Sequence, residues 1–256
     1  MPRHLILDLE APLLAFGRVV VDAYGVIDTF PGRAAMAGLL ANALGFDRTE
    51  AARHQRLQDR LVHGAVVVRE GKPLRDFQTA RLGAADKGWT TRGRPEGRAG
   101  GAGTYSGPHI RYRDYHADAF VCVALRLEPA GEAPDLDTIA AALDEPARPL
   151  FLGRKPCLPA TRIGAGILEA PTILAALEAA LPAAIARRSA GQAARRRTGE
   201  RGPVSPTVPA RWPAGEGETD RGRETDITDE RDWPAGVHAG SRRVVEGEID
   251  WPEAGT

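Results

Sequence analysis

The stretch His116–Pro129, HADAFVCVALRLEP, reads as a strand built on the apolar run FVCVAL, with Cys122 as an inert core thiol. Upstream, Leu61–Glu70 (LVHGAVVVRE) is a second strand rich in β-branched residues. Further back, His4–Pro12 (HLILDLEAP) alternates Leu5, Leu7 and Leu9 and predicts a half-buried strand. Between these two lies a helix over Phe30–Phe46, with Pro31 and Gly32 at its entrance and Gly45 at its exit. Downstream, Pro134–Pro146 is a short helix with Asp135 or Asp137 near its start, where an acid suits the helix dipole. Arg148–Gly153 (RPLFLG) then reads as a fourth strand. The order strand, helix, strand, strand, helix, strand predicts an α+β, ferredoxin-like (RRM-like) sandwich rather than a doubly wound sheet. Pro171–Arg188 is helical in pattern, with Pro182 expected to kink or break it.

Two segments stand outside this core. Between Lys72 and Arg113 the composition turns to Gly, Arg and Thr, centred on RGRPEGRAGGAGTYSG, and an insertion of this length is functional or disordered. From about Ser189 to Thr225, Pro, Gly and charge predict a flexible linker. The expected division is a core over residues 1–188, a linker over 189–226 and a terminal segment over 227–256. The unit WPAG occurs at Trp212 and Trp233 and returns as WPEAG at Trp251. Three copies with dissimilar flanks do not make a structural repeat.

The chain has 256 residues, enough for one large domain or two small ones. Its 34 Lys and Arg balance 34 Asp and Glu, so global charge carries no argument for nucleic acid. The distribution does: between Arg69 and Arg113 ten cations face four acids. Two cysteines exclude a disulfide framework, and the six histidines have no metal-ligand spacing, so no metal or cofactor is expected. No apolar run reaches 18 residues and no secretory signal opens the chain, which predicts a cytoplasmic protein without membrane partners. There is no Walker loop, dinucleotide fingerprint or nucleophile elbow.

What remains is a set of loop and strand ends that suit RNA. In PLFLGRKPCLPA (Pro149–Ala160), Gly153 precedes Arg154 and Lys155, and Pro156 and Pro159 stiffen the end of the loop, so a phosphate loop and a solvated basic turn are both open. HIRYRDYH (His109–His116) alternates rings and cations, including Arg111 and Tyr112. A base-stacking surface, an ordinary strand and a metal-free acid–base set of Tyr105, His109, Tyr112 and His116 with the cations Arg111 and Arg113 are all compatible with it. The helix entrance at TFPGRAAMAGLL offers free N–H groups beside Arg33. EAPLLAFGRV places Phe16, Gly17 and Arg18 at a strand end. RDFQTARLGAADKGW carries Arg75, Phe77, Gln78, Thr79, Arg81 and Trp89 at the root of the insertion.

Taken in order, APLLAFGRVVVDAYGVIDTFPGRAAMAGLLANALG, LRDFQTARL, RYRDYHADAFVCVAL and PLFLGRKPCLPA resemble the CasD family, and the likeness returns at DITDERDWPAGVHAGSRRVVEGEI. CasD is the subunit of the type I-E CRISPR Cascade complex that holds the 5′ handle of the guide RNA. The resemblance implies a thumb hairpin over about 75–112 that projects from the core, kinks the RNA and meets the backbone subunit. It implies that the Gly153–Arg154–Lys155 loop and the first helix entrance face the handle. It also implies a terminal segment returning to the core, a large-subunit partner, target DNA met only through the complex, and no catalysis. Two positions depart from the family pattern. Gly32–Arg33 stands where members commonly have a hydroxyl residue before the cation, and Phe16 where a tryptophan precedes the first loop glycine. The rival expectation is a metal-independent endoribonuclease processing repeat RNA, because type I-C relatives resemble CasD and cut.

Overall fold

A computed structural model describes residues 1–18, 24–81, 86–89, 95–96, 107–195 and 207–251. The chain opens with β1 (Arg3–Leu14), β2 (Phe16–Gly17), β3 (Tyr24–Gly25), β4 (Ile27–Asp28), α1 (Arg33–Ala43) and α2 (Ala51–Arg60). It continues through β5 (Leu61–Arg69), β6 (Lys72–Ala80), β7 (Gly88–Trp89), β8 (Pro95–Glu96) and β9 (His109–Leu127). After α3 (Leu136–Asp144), β10 (Gly164–Glu169) and α4 (Ile173–Arg195) come β11 (Thr207–Pro213), β12 (Gly222–Ile227), β13 (Arg231–Asp232), β14 (Val237–His238) and β15 (Arg242–Asp250).

Four strands form the centre in the order β10-β1-β9-β5, each antiparallel to its neighbour. With α1 between β1 and β5, and α3 between β9 and β10, this is the α+β ferredoxin-like arrangement. The sheet is covered on both faces. Leu5, Leu7 and Leu9 of β1 join Val121, Val123 and Leu125 of β9 in one apolar cluster with Met36, Leu40, Leu57 and Ile139 of the three short helices. Ile6, Phe120, Cys122 and Ala124 point the other way, into a second cluster with Ile173, Leu177 and Leu181 of α4. This double burial makes FVCVAL a continuous apolar run. It also corrects the expectation for β1, which is buried on both faces rather than half-buried. Burial raises the Cys122 thiol far above its ordinary pKa, which leaves it inert.

Several expected elements differ. The fourth core strand is β10, not Arg148–Gly153. Leu150 and Leu152 are buried as their alternation implies, but Leu152 N–H donates to Cys157 O at 2.7 Å and Leu152 O accepts from Ala15 N–H at 3.2 Å. The backbone is satisfied within a loop and by one strand end, so no ladder forms there. Helix α4 runs through Pro182, which lies on the exposed side of the helix, rather than breaking there. Helix α2 has no apolar stripe; its buried side is His54, Leu57, Gln58 and Arg60, which apolar periodicity does not reveal.

The largest difference lies in the expected 189–226 linker. Residues 196–206 are outside the described set, but Thr207–Pro213 and Gly222–Ile227 are strands that extend the sheet as β5-β11-β15-β12. Val208, Ala210 and Trp212 of β11 alternate and are buried, a period of two hidden within a Pro- and Arg-rich window. The WPAG units sit at chain reversals. Trp212 is fully buried at the end of β11, and Trp233–Gly236 turns between β13 and β14, with Gly236 at φ +75.

The terminal segment docks by charge. Asp229 accepts from the Arg33 backbone N–H at 2.9 Å and from Arg242 Nη2 at 2.8 Å, while Arg33 pairs with Glu230 at 2.6 Å. Burial, then Arg242 beside it, holds the His63 imidazole neutral against this group. Replacing Asp229 by Ala leaves Arg242 and the first turn of α1 without their shared anion. The expected cost is about 3–5 kcal/mol, read as a lower urea midpoint, whereas the exposed-pair control Asp226→Ala changes stability by less than about 1 kcal/mol.

Candidate nucleic-acid interface

The insertion begins as a regular hairpin. β6 pairs antiparallel with β9 from Lys72↔Ala117 to Ala80↔His109, carrying the strand beyond the edge of the core. Directly paired residues share a face. One face therefore carries Arg75 with Asp114, Phe77 with Tyr112, and Thr79 with Ile110; the other carries Gln78 with Arg111 and Asp76 with Arg113. The expected RNA residues are thus divided between two faces. Most of Thr90–Ser106 lies outside the described residues, as does the side chain of Trp89, whose backbone is in β7.

The first face is aromatic. Tyr24 of β3 stacks on Tyr112 with centroids 5.0 Å apart and planes 11° apart, and Phe77 tilts against Tyr112 at 5.6 Å. Beside them Arg75 grips Asp114 through Nε at 2.6 Å and Nη2 at 3.1 Å. That pairing holds the Asp114 carboxyl below the usual carboxylate range. Tyr24 is 47% and Phe77 55% exposed, so this apolar surface is open. Phe77 is visible in the sequence at the insertion root, and strand pairing sets it opposite Tyr112. Tyr24 is the residue that sequence reasoning misses, because it arrives by a parallel contact that spacing does not announce. On the opposite face Arg111 is exposed, with Nη1 donating to the Ile110 carbonyl at 2.8 Å, and Gln78 donates to Asp76 at 2.7 Å. Thr79 and Arg81 are exposed near the hairpin's described end.

The Pro149–Ala160 loop sits at the hairpin root, and its residues divide by role. Gly153 adopts φ +101, and a Cβ there would lie 1.9 Å from the Ala15 carbonyl oxygen. The space that glycine opens is therefore filled by the chain's own β1 end, not by an incoming backbone. Arg154 donates to Asp114 O and Gly25 O, both at 2.7 Å, and lies over the Tyr115 ring at 4.9 Å. Lys155 is exposed and makes no ion pair among the described residues.

At the neighbouring strand end Gly17 has open space around it and Arg18 is 64% exposed, with Asp28 at 3.8 Å. Phe16 is only 3% exposed and packs in the core, so its ring is not presented for stacking. It lines a groove of about 520 Å³ with Gly153, Phe46, Phe151 and Trp233. Arg33 departs furthest from expectation. Its side chain pairs with Glu230 and the α1 entrance is capped by Asp229, so this helix terminus already holds an anion. A side chain at Gly32 would meet Asp229 Cβ at 2.9 Å, which accounts for the missing hydroxyl residue.

The acid–base candidates are placed only in part. His109 and His116 are seven residues apart on one strand, on opposite faces and about 23 Å apart at the usual rise. Tyr105 lies outside the described residues. Among the described residues no cluster of three metal-ligating side chains occurs, and no helix is long and apolar enough to cross a membrane.

Comparison with solved structures places this architecture. A chain described as "CRISPR RNA-guided surveillance complex" superposes with TM-score 0.62 at 20% identity, covering 98% of this chain and 91% of that one. One described as "Crystal structure of Cas protein" gives TM-score 0.53 at 24% identity, covering 98% and 95%. At these identities the likeness establishes the fold. No curated protein sequence matches. The family model described as "CRISPR-associated protein (Cas_Cas5)" matches residues 4–245, nearly the whole chain, and the chain belongs to that CRISPR-associated family.

Proposed function

We propose that this protein is a non-catalytic RNA-binding subunit of a Cascade-type CRISPR surveillance complex, holding the 5′ handle of the guide RNA and contacting the backbone and large subunits. Target DNA is met only through that complex. The observation that carries the reading is the exposed Tyr24–Tyr112–Phe77 stack at the thumb root. Five of the exposed large hydrophobics among the described residues, Tyr24, Val26, Leu74, Phe77 and Ile110, lie on this hairpin or beside it. Base stacking on such rings tolerates any sequence, and the nearby cations Arg18, Lys155 and Arg111 suit the phosphates. The family match and the likeness to a surveillance-complex chain support the same reading.

The expected division of labour separates rings from cations. Lys155→Ala and Arg18→Ala each lower the salt slope of RNA binding by about 0.7, one phosphate's share, measured on the assembled complex. Phe77→Ala and Tyr24→Ala each weaken binding by about 1–3 kcal/mol with the slope unchanged. Both pairs leave the unfolding midpoint close to wild type, since all four residues lie at the surface outside the two core clusters. Slopes and affinities unchanged in all four variants would remove the hairpin root from the RNA path.

The purified chain is expected to leave its cognate repeat RNA intact, because the two histidines of β9 are too far apart to share one phosphodiester. Site-specific, metal-independent cleavage that disappears in His109→Ala or His116→Ala would establish the endoribonuclease reading instead.

A further inference from the structure

We propose that Arg154 is not a phosphate ligand but a positioning residue that clamps the thumb root to the Pro149–Ala160 loop. The guanidinium bridges two backbone carbonyls from different strands, Asp114 O of β9 and Gly25 O of β3, each at 2.7 Å. It lies over the ring of Tyr115, which is 4% exposed and anchors β9 where the hairpin leaves the core. Asp114 is also the carboxylate that Arg75 grips from β6. Loop, β3 and β9 therefore meet at one arginine, and β6 joins them through Asp114. Its Nη1 and Nη2 are directed into the protein, leaving Lys155 as the adjacent cation turned to solvent. Gly25 keeps the seat open: a Cβ there would meet the Arg154 and Arg113 guanidinium ends, each at 2.8 Å. A planar fork that donates in two directions while stacking has no lysine equivalent.

The clamp rests on the RNA-binding reading for its purpose, since it holds the aromatic stack at a set distance from Lys155. Its geometry is testable without RNA. Three variants of the full chain are compared: Arg154→Ala, Arg154→Lys, and Gly25→Ala, which keeps the cation but displaces it. Hydrogen exchange on the free protein is expected to rise about tenfold or more at Gly25 and at Tyr112–Tyr115 in all three, with α3 and β10 unchanged. Binding of a fluorescein-labelled single-stranded RNA of the cognate repeat should weaken at every salt concentration, with the salt slope kept at the wild-type value. A slope lowered by about 0.7 in Arg154→Ala and restored in Arg154→Lys, with exchange unchanged, would make Arg154 a direct phosphate contact and overturn the proposal. Wild-type protein that fails to bind RNA would count against the proposed function, while the exchange arm would still decide the clamp.

Discussion

β9 is the strand on which the rest of the molecule depends. Its nineteen residues begin on the exposed thumb and end at the centre of the sheet. From Ala119 onward every residue is buried, paired on one side with β1 and on the other with β5. Before that point the same strand pairs with β6 and touches β3. The change of partner is marked in the backbone. Asp118 sits at φ +57, a left-handed conformation that aspartate tolerates better than most residues, and its carboxylate pairs with Arg69 at 2.6 Å. Across from it, Gly71 at φ +77 has room for no Cβ, because Ala117 O would lie 2.6 Å away. The hairpin is thus a continuation of the core strand rather than a separate appendage, and its direction is inherited from the sheet.

The second organising element is the use of arginine as an internal tie. Arg60, 1% exposed, donates to the carbonyls of Pro129 and Pro134 at 2.9 and 3.1 Å and to that of Glu132, closing the loop before α3. Arg126 bridges Glu128 and Glu216 at 2.6 Å, joining the central strand to the terminal extension. Arg187 holds Asp8 at 2.6 Å, fastening α4 to β1. Arg211 links Asp28 to Glu246. A count of cations therefore says little about RNA, since many arginines serve the fold. Those that remain for a ligand are the ones the tertiary structure leaves turned outward.

This sorting explains where the expected site residues lie in the structure. The hairpin residues Arg75, Gln78, Thr79, Arg111 and Tyr112 are legible in the sequence because β6 and β9 alternate, and alternation fixes facing once the register is known. Gly153 is a position that needs glycine, as its place before two cations suggests, but the close neighbour is Ala15 O. Arg33 looks in sequence like a free cation at an open helix terminus; a segment nearly two hundred residues away supplies the anion. Phe16 looks like a presented ring, and in the fold it is enclosed in the apolar core cluster under the short helices.

Local pattern in the chain determined the ferredoxin-like order of the core, with three of its four strands and both of its helices, because strand and helix periodicity are properties of neighbouring residues; the hairpin and the family came from the resemblance of several blocks taken in order. The tertiary structure alone decided that Thr207–Pro213 is a sheet strand, that Asp229 caps α1, that Tyr24 completes an aromatic stack and that Arg154 turns inward. Each of those depends on a partner distant in sequence. A hydrogen-bond donor, a ring or a charge looks the same in sequence whether its partner is solvent, a ligand or another part of the chain, and only the packed structure distinguishes them.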